Sequence, residues 1–73
     1  MRIEYRIVSS ITGGLDETYT DKDKFIERGN YISKHKSEFK KNSMLFFYKH
    51  TFNKEGKFTS DTLRVIDLRG GEL

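Results

Sequence analysis

Residues 43–52 of the chain, SMLFFYKHTF, hold five consecutive apolar or aromatic side chains: Met44, Leu45, Phe46, Phe47 and Tyr48. Polar KKNS leads into the run and turn-forming NKEG follows residue 52. A short apolar run with such boundaries marks a strand buried on both faces at one end. Alternation along an extended chain puts Met44, Phe46, Tyr48, His50 and Phe52 on one side, and Leu45, Phe47, Lys49 and Thr51 on the other. The first side is apolar almost throughout and the second turns polar halfway. The sequence therefore predicts a central strand whose Met44, Phe46 and Tyr48 side lies under a helix, with water reaching the far end of the other side.

The rest of the chain supplies partners for that strand. MRIEYRIV, residues 1–8, alternates cleanly, with Ile3, Tyr5 and Ile7 on one face and Arg2, Glu4 and Arg6 on the other. Gly13-Gly14 provides a loop, after which residues 15–19 form a candidate second strand with Leu15, Glu17 and Tyr19 on one side. Thr20 is placed to cap a helix over residues 21–41, with Asp21 and Asp23 at its positive end and Lys36, Lys40 and Lys41 at its negative end. Phe25, Gly29, Ile32, Lys36 and Phe39 form its apolar stripe. Gly29 either permits close approach to the sheet or marks a break in the helix. About 19 residues of helix within that segment, about 28 Å long, would match a nine-residue strand of about 30 Å and cover it from end to end.

FNKEGKF, residues 52–58, reads as a hairpin, with a type I turn followed by a left-handed Gly56. The returning strand is weak at Thr59, Ser60 and Asp61 and firm over residues 62–68. There Leu63, Val65 and Asp67 share one face, and Arg64, Ile66 and Leu68 the other. The predicted fold is a single α+β domain spanning residues 1–73, a small antiparallel or mixed sheet of three to four strands with one helix packed on one face.

At 73 residues a single core is barely sufficient without a staple, and the chain has no cysteine for disulfides or thiolate chemistry. His35 and His50 are its two histidines, too few for a zinc cage. Stability has to come from burying six Phe and four Tyr, or from a partner subunit, so a homodimer or another obligate partner is expected. Ala, Pro, Trp and Gln are absent while Lys, Phe, Ile and Asn are plentiful, a bias of AT-rich genes that suggests a phage, mobile-element or low-GC bacterial source, the first two being the expectation. No apolar run approaches the roughly 18 residues of a membrane span, and a cytoplasmic protein that does not engage the membrane is the expectation.

The net charge of +3 is unevenly spread. Lys34, Lys36, Lys40, Lys41, Lys49, Lys54 and Lys57 face only Glu38 and Glu55 within residues 34–57, and both histidines fall in that window. With His50 and Arg64 these lysines form the candidate binding surface. No phosphate loop, HExxH, nucleophile elbow or paired-cysteine motif occurs, and no cofactor is implied. The expected function is that of a small non-enzymatic binding protein that occupies a site on a host or cognate protein. Arg2, Arg6, Lys49 and Arg64 are its expected anchors beside aromatics on the outer face of the sheet. The alternatives are DNA or RNA binding through the basic window, or a metal-independent ribonuclease with His50 or His35 as base beside Lys49 or Arg64.

Strand, second strand, helix, strand, strand is also the order of elements in the β-grasp family, and Leu68-Arg69-Gly70-Gly71 resembles the C-terminal Leu-Arg-Gly-Gly of ubiquitin. The resemblance covers those four residues and the order of elements. It implies a β-grasp-like fold and a diglycine conjugation point exposed by removal of Glu72-Leu73; the middle of ubiquitin has no counterpart here. The aromatics and bases of residues 48–52 invite comparison with RNA-recognition sheets, whose octamer needs glycines that this strand lacks.

Overall fold

The computed structural model describes residues 1–69. The diglycine of the ubiquitin resemblance lies outside them. Strands β1 (Arg2–Ser9) and β2 (Asp16–Tyr19) are followed by helix α1 (Lys22–Lys34), a 3₁₀ segment (Lys36–Asn42), β3 (Met44–Phe52) and β4 (Phe58–Asp67). The four strands form one sheet in the order β2-β1-β3-β4. Every pairing is antiparallel, so the fold is α+β with one main helix on one face. The order of elements matches the β-grasp order, while β4 lies at the sheet edge beside β3 and not beside β1.

β1 and β3 pair over their full lengths, from Arg2 opposite Phe52 to Ser9 opposite Leu45. The core lies between this pair and the helical layer. Ile7, Ile32 and Leu45 are fully buried, and Tyr5, Phe25, Phe39, Phe47, Ile66 and Leu68 nearly so. Burying one such aliphatic or aromatic side chain contributes about 1.5–3 kcal/mol, so these nine carry most of the apolar driving force.

The helix covers the side of β3 opposite to the one its alternation suggests. Leu45 and Phe47 are 0% and 2% exposed, whereas Met44, Phe46 and Tyr48 are only half-buried. Both sides of this strand begin apolar, so its own pattern cannot choose between them; its neighbours do. Ile7 opposite Phe47 and Ile66 opposite Leu45 extend the buried side across three strands, whereas Arg6 opposite Tyr48 makes the other side polar at that level.

α1 is shorter than the predicted helix and is capped one residue later. The Asp21 carboxylate, not Thr20, accepts the amides of Asp23 at 2.9 Å and Lys24 at 3.4 Å. A charged acceptor there both bonds the free amides and meets the positive end of the helix dipole. The break falls at His35, with φ −128° and ψ 44°, and not at Gly29. A continuous α-helix would carry Lys36 on the buried stripe between Ile32 and Phe39. The change to a 3₁₀ turn leaves Lys36 exposed while Phe39 stays in the core.

Gly29 is buried against the sheet, as the close-approach reading requires. With 13 residues, α1 is about 20 Å long against about 30 Å for β3, and it does not cover the strand from end to end. From Lys49 onward β3 is only half-buried, and β4 is exposed from Phe58 to Val65. The hairpin end of the sheet is thus a three-stranded arm of β1, β3 and β4 that the helix does not cover. Its turn is as predicted: Gly56 has φ +83°, and the Asn53 side chain accepts the amides of Glu55 and Lys57 at 2.9 and 3.0 Å. Leu63 is an extra residue in β4, because Phe47 faces Arg64 while Tyr48 faces Thr62.

Candidate functional site

Opposite the helix no described residue forms a second layer on the sheet, and its central strand is lined with rings. Phe46 and Tyr48 are near-parallel with centroids 6.1 Å apart, and Tyr48 and His50 follow at 5.8 Å. His50 then meets Phe58 at 5.1 Å, and Phe58 meets Phe52 at 5.2 Å. Pairing across the sheet adds Val8 and Val65 beside Phe46. The Arg2 guanidinium sits 4.4 Å from the Phe52 ring centroid, closing the row at the hairpin end. Phe58 is 54% exposed and Val65 45%. A row of aromatic side chains along one strand, half open to water, is an unusual use of a sheet's solvent side.

The polar groups around this row nearly cancel. On β1, Arg2 is 3.6 Å from Glu4, and Arg6 bonds Asp16 of β2. At the far end Asp67 accepts both side-chain and backbone bonds from Arg69, which hold its carboxyl below the ordinary range. Two arginines, Arg2 and Arg6, thus share the face with Glu4, Asp16 and Asp67.

The residues singled out in the sequence are distributed over several surfaces. His50 belongs to the aromatic row. Lys49 follows Phe47 on the helix side of β3, and Arg64 lies on that side too, bonding Ser33 of α1 and reaching over the Phe47 ring. Of the four expected outer-face anchors, Arg2 and Arg6 are on the open face; Lys49 and Arg64 are not, because the helix took the opposite side. Lys34, Lys36, Lys40 and Lys41 belong to the helical layer, at the end of α1 and in the 3₁₀ segment. Lys54 and Lys57 sit at the hairpin turn, beyond the other end of β3. About 30 Å of strand separates the two groups of lysines.

The ribonuclease reading needs Lys49 or Arg64 beside a histidine, and the sheet separates both from His50. Lys49 and Arg64 are across the sheet from His50, and His35 stacks on Tyr31 at 4.1 Å with Nδ1 2.9 Å from the Tyr31 carbonyl. The described residues contain no group of acidic, histidine or cysteine side chains able to hold a metal. No helix among them is long and apolar enough to cross a membrane.

Two further polar clusters are structural in character. Glu17 accepts from Tyr19 at 2.6 Å and from Arg28 at 3.0 and 2.9 Å, tying β2 to α1. Burial raises the Glu17 pKa, but the bonds from Arg28 and Tyr19 outweigh it and the net direction is down. Burial and the bond to Glu17 push Tyr19 up to about 12. Around a cleft of about 570 Å³, buried Asn42 accepts the Leu15 amide and donates to the Phe39 carbonyl, and its own carbonyl accepts from Ser9 and Ser10. The cleft is a loop junction in which the side chain and carbonyl of Asn42 are already engaged.

Phe46, Tyr48, His50 and Phe52 of this row are visible in the sequence as one side of residues 43–52, the side whose apolar character predicts core. The signal that could have corrected it is the pair of isoleucines flanking Leu45 and Phe47. The chain matches no protein-family model, no curated protein and no solved structure.

Proposed function

We propose that this chain is a non-enzymatic protein-binding module that docks through the open face of its sheet. The observation that carries this reading is the row Phe46, Tyr48, His50, Phe52 and Phe58 on an unlayered, nearly neutral sheet face. Aromatics and arginine at the centre with polar groups around them are the usual composition of an interface and its rim.

The same rings offer stacking surfaces of the kind single-stranded nucleic acids use. Such sites pair the rings with a positively charged groove, and here the lysines stand beyond the two ends of β3 and in the helical layer. Charge placement therefore favours a protein. The reading of the chain as a phage or mobile-element product that occupies a host protein fits its size and composition.

The test is affinity capture by the intact chain from nuclease-treated and untreated lysates of its native host, with Phe58→Glu and Val65→Glu as face variants and Lys54→Glu with Lys57→Glu as a turn control. The expected result is a stoichiometric protein retained after nuclease and lost with the face variants only. Capture that vanishes with nuclease, or that follows the lysines, would overturn the proposal in favour of nucleic acid.

A further inference from the structure

β4 is an edge strand, and no described residue pairs with its outer side. The Asn53 amide donates to the Lys57 carbonyl and the Leu68 amide to the Ser43 carbonyl, both at 2.8 Å, which fixes the backbone groups of β4 that turn inward. Alternation from these two bonds points Thr59, Asp61, Arg64 and Ile66 toward β3. It leaves the amides and carbonyls of Phe58, Ser60, Val65 and Asp67 facing outward. Long edge strands are commonly blunted by lysine, proline or a bulge. β4, with 10 residues, carries no lysine or proline, and its bulge has a different effect.

In a regular strand, residues three apart lie on opposite faces. Because Leu63 is extra, Asp61 and Arg64 share the helix side, opposite Lys49 and Phe47. The same shift makes the strand complementary to itself about a two-fold axis normal to the sheet, passing between Thr62 and Leu63. Paired antiparallel in that register, each outward residue meets another outward one: Phe58 meets the partner's Asp67, and Ser60 meets the partner's Val65. Asp61 then falls opposite the partner's Arg64, at a site without backbone bonds where facing side chains come closest.

We infer that β4 pairs edge to edge with the β4 of a second copy in this register. Charge supports that choice of occupant. Among the described residues neither Asp61 nor Arg64 is ion-paired, although Lys49 faces Asp61 from β3. Arg64 gives one N–H group to the Ser33 hydroxyl, and its guanidinium has further donors. The symmetry makes the Asp61 to Arg64 pair twice, and Arg2, Asp16 and Asp67, engaged within the chain, are not needed for it. Leu63, 51% exposed, comes beside the axis next to its own counterpart. About eight backbone hydrogen bonds join the copies. The sheet continues from one copy into the other, with both helices on the same side. The inference does not depend on docking by the open face, which this pairing leaves free.

Sedimentation equilibrium of the intact chain across micromolar concentrations should give a mass approaching twice 8.6 kDa. Amide hydrogen exchange should slow at Ser60 and Val65 as concentration rises, while the Thr59 and Arg64 amides, bonded to β3, are protected throughout. Asp61→Arg sets arginines against each other across the axis and should weaken association about tenfold or more; adding Arg64→Asp should restore it. Ser60→Pro removes an outward amide that β3 does not use, and should give a monomer with unchanged far-ultraviolet circular dichroism. Should that variant fail to fold, exchange at Ser60 and Val65 decides alone. A monomer throughout overturns the inference, as does a dimer in which those two amides exchange no more slowly than in dilute solution, or one that the charge swap does not restore.

Discussion

A Cβ atom on Gly29 would stand 3.1 Å from Cε2 of Phe47, so the closest approach of helix to sheet is set by a side chain that is missing. The Phe47 ring is held with its centroid 5.8 Å from that of Phe25 and with the Arg64 guanidinium 5.8 Å above it. Gly29→Ala would gain about 1 kcal/mol of helix propensity, set against about 1–3 kcal/mol for overpacking. The expected outcome in urea denaturation is a net loss of about 1 kcal/mol for Ala and about 3 kcal/mol for Val. A gain of the full propensity term on Gly29→Ala would mean that the ring gives way freely.

Asn42→Ala removes the acceptor of the Leu15 amide and the donor to the Phe39 carbonyl. Both are main-chain groups at a part-buried junction, and leaving them unmet should cost about 1–3 kcal/mol. Hydrogen exchange supplies the check, because the Leu15 amide should lose protection beyond what the fall in global stability accounts for.

Stability should decline on both sides of neutrality through one cluster. Glu17 has a folded pKa below its ordinary 4.5, so its contribution is complete above that value and disappears as pH falls through the folded one. Tyr19 moves the other way, from 10.0 to about 12; its contribution is complete below 10.0 and is lost as pH rises toward 12. Denaturation midpoints against pH should therefore flatten at the acid end in Glu17→Gln and at the alkaline end in Tyr19→Phe. Unchanged profiles in both would show that the Arg28 bridge does not couple to folding.

At the hairpin, Gly56 combines φ +83° with open space around its missing Cβ. Only backbone conformation is at stake there. Gly56→Ala should cost about 1 kcal/mol and Gly56→Val more, while Gly56→Asn, which tolerates left-handed geometry, should stay closest to wild type. Equal losses for Asn and Val by chemical denaturation would contradict this.

Local chemistry made much of the fold legible. β1 alternates so regularly that its buried face, Tyr5 and Ile7 with Ile3 packed against them, is as predicted. The turn at Asn53 and Gly56 was equally clear, because left-handed backbone narrows the choice of residue. β3 was harder: a strand apolar on both sides carries no internal mark of which side the helix takes. The same ambiguity displaced the site, since Lys49 and Arg64 go wherever Leu45 and Phe47 go. The end of α1 at His35 was hidden for a different reason, namely that the gain from turning Lys36 outward exists only once the sheet is present.

The pairing of β1 with β3 has a consequence in time. The β3–β4 hairpin closes over a short turn and α1 needs only near neighbours, so both can form within microseconds. β1 must find β3 across nearly the whole chain, joining Arg2 to Phe52, and it ends up between two other strands. The topology predicts that β1 is the last strand to be inserted. Kinetic φ-values should then be high at Phe47 and Ile66 and near zero at Ile3, and the reverse order would refute this sequence of events.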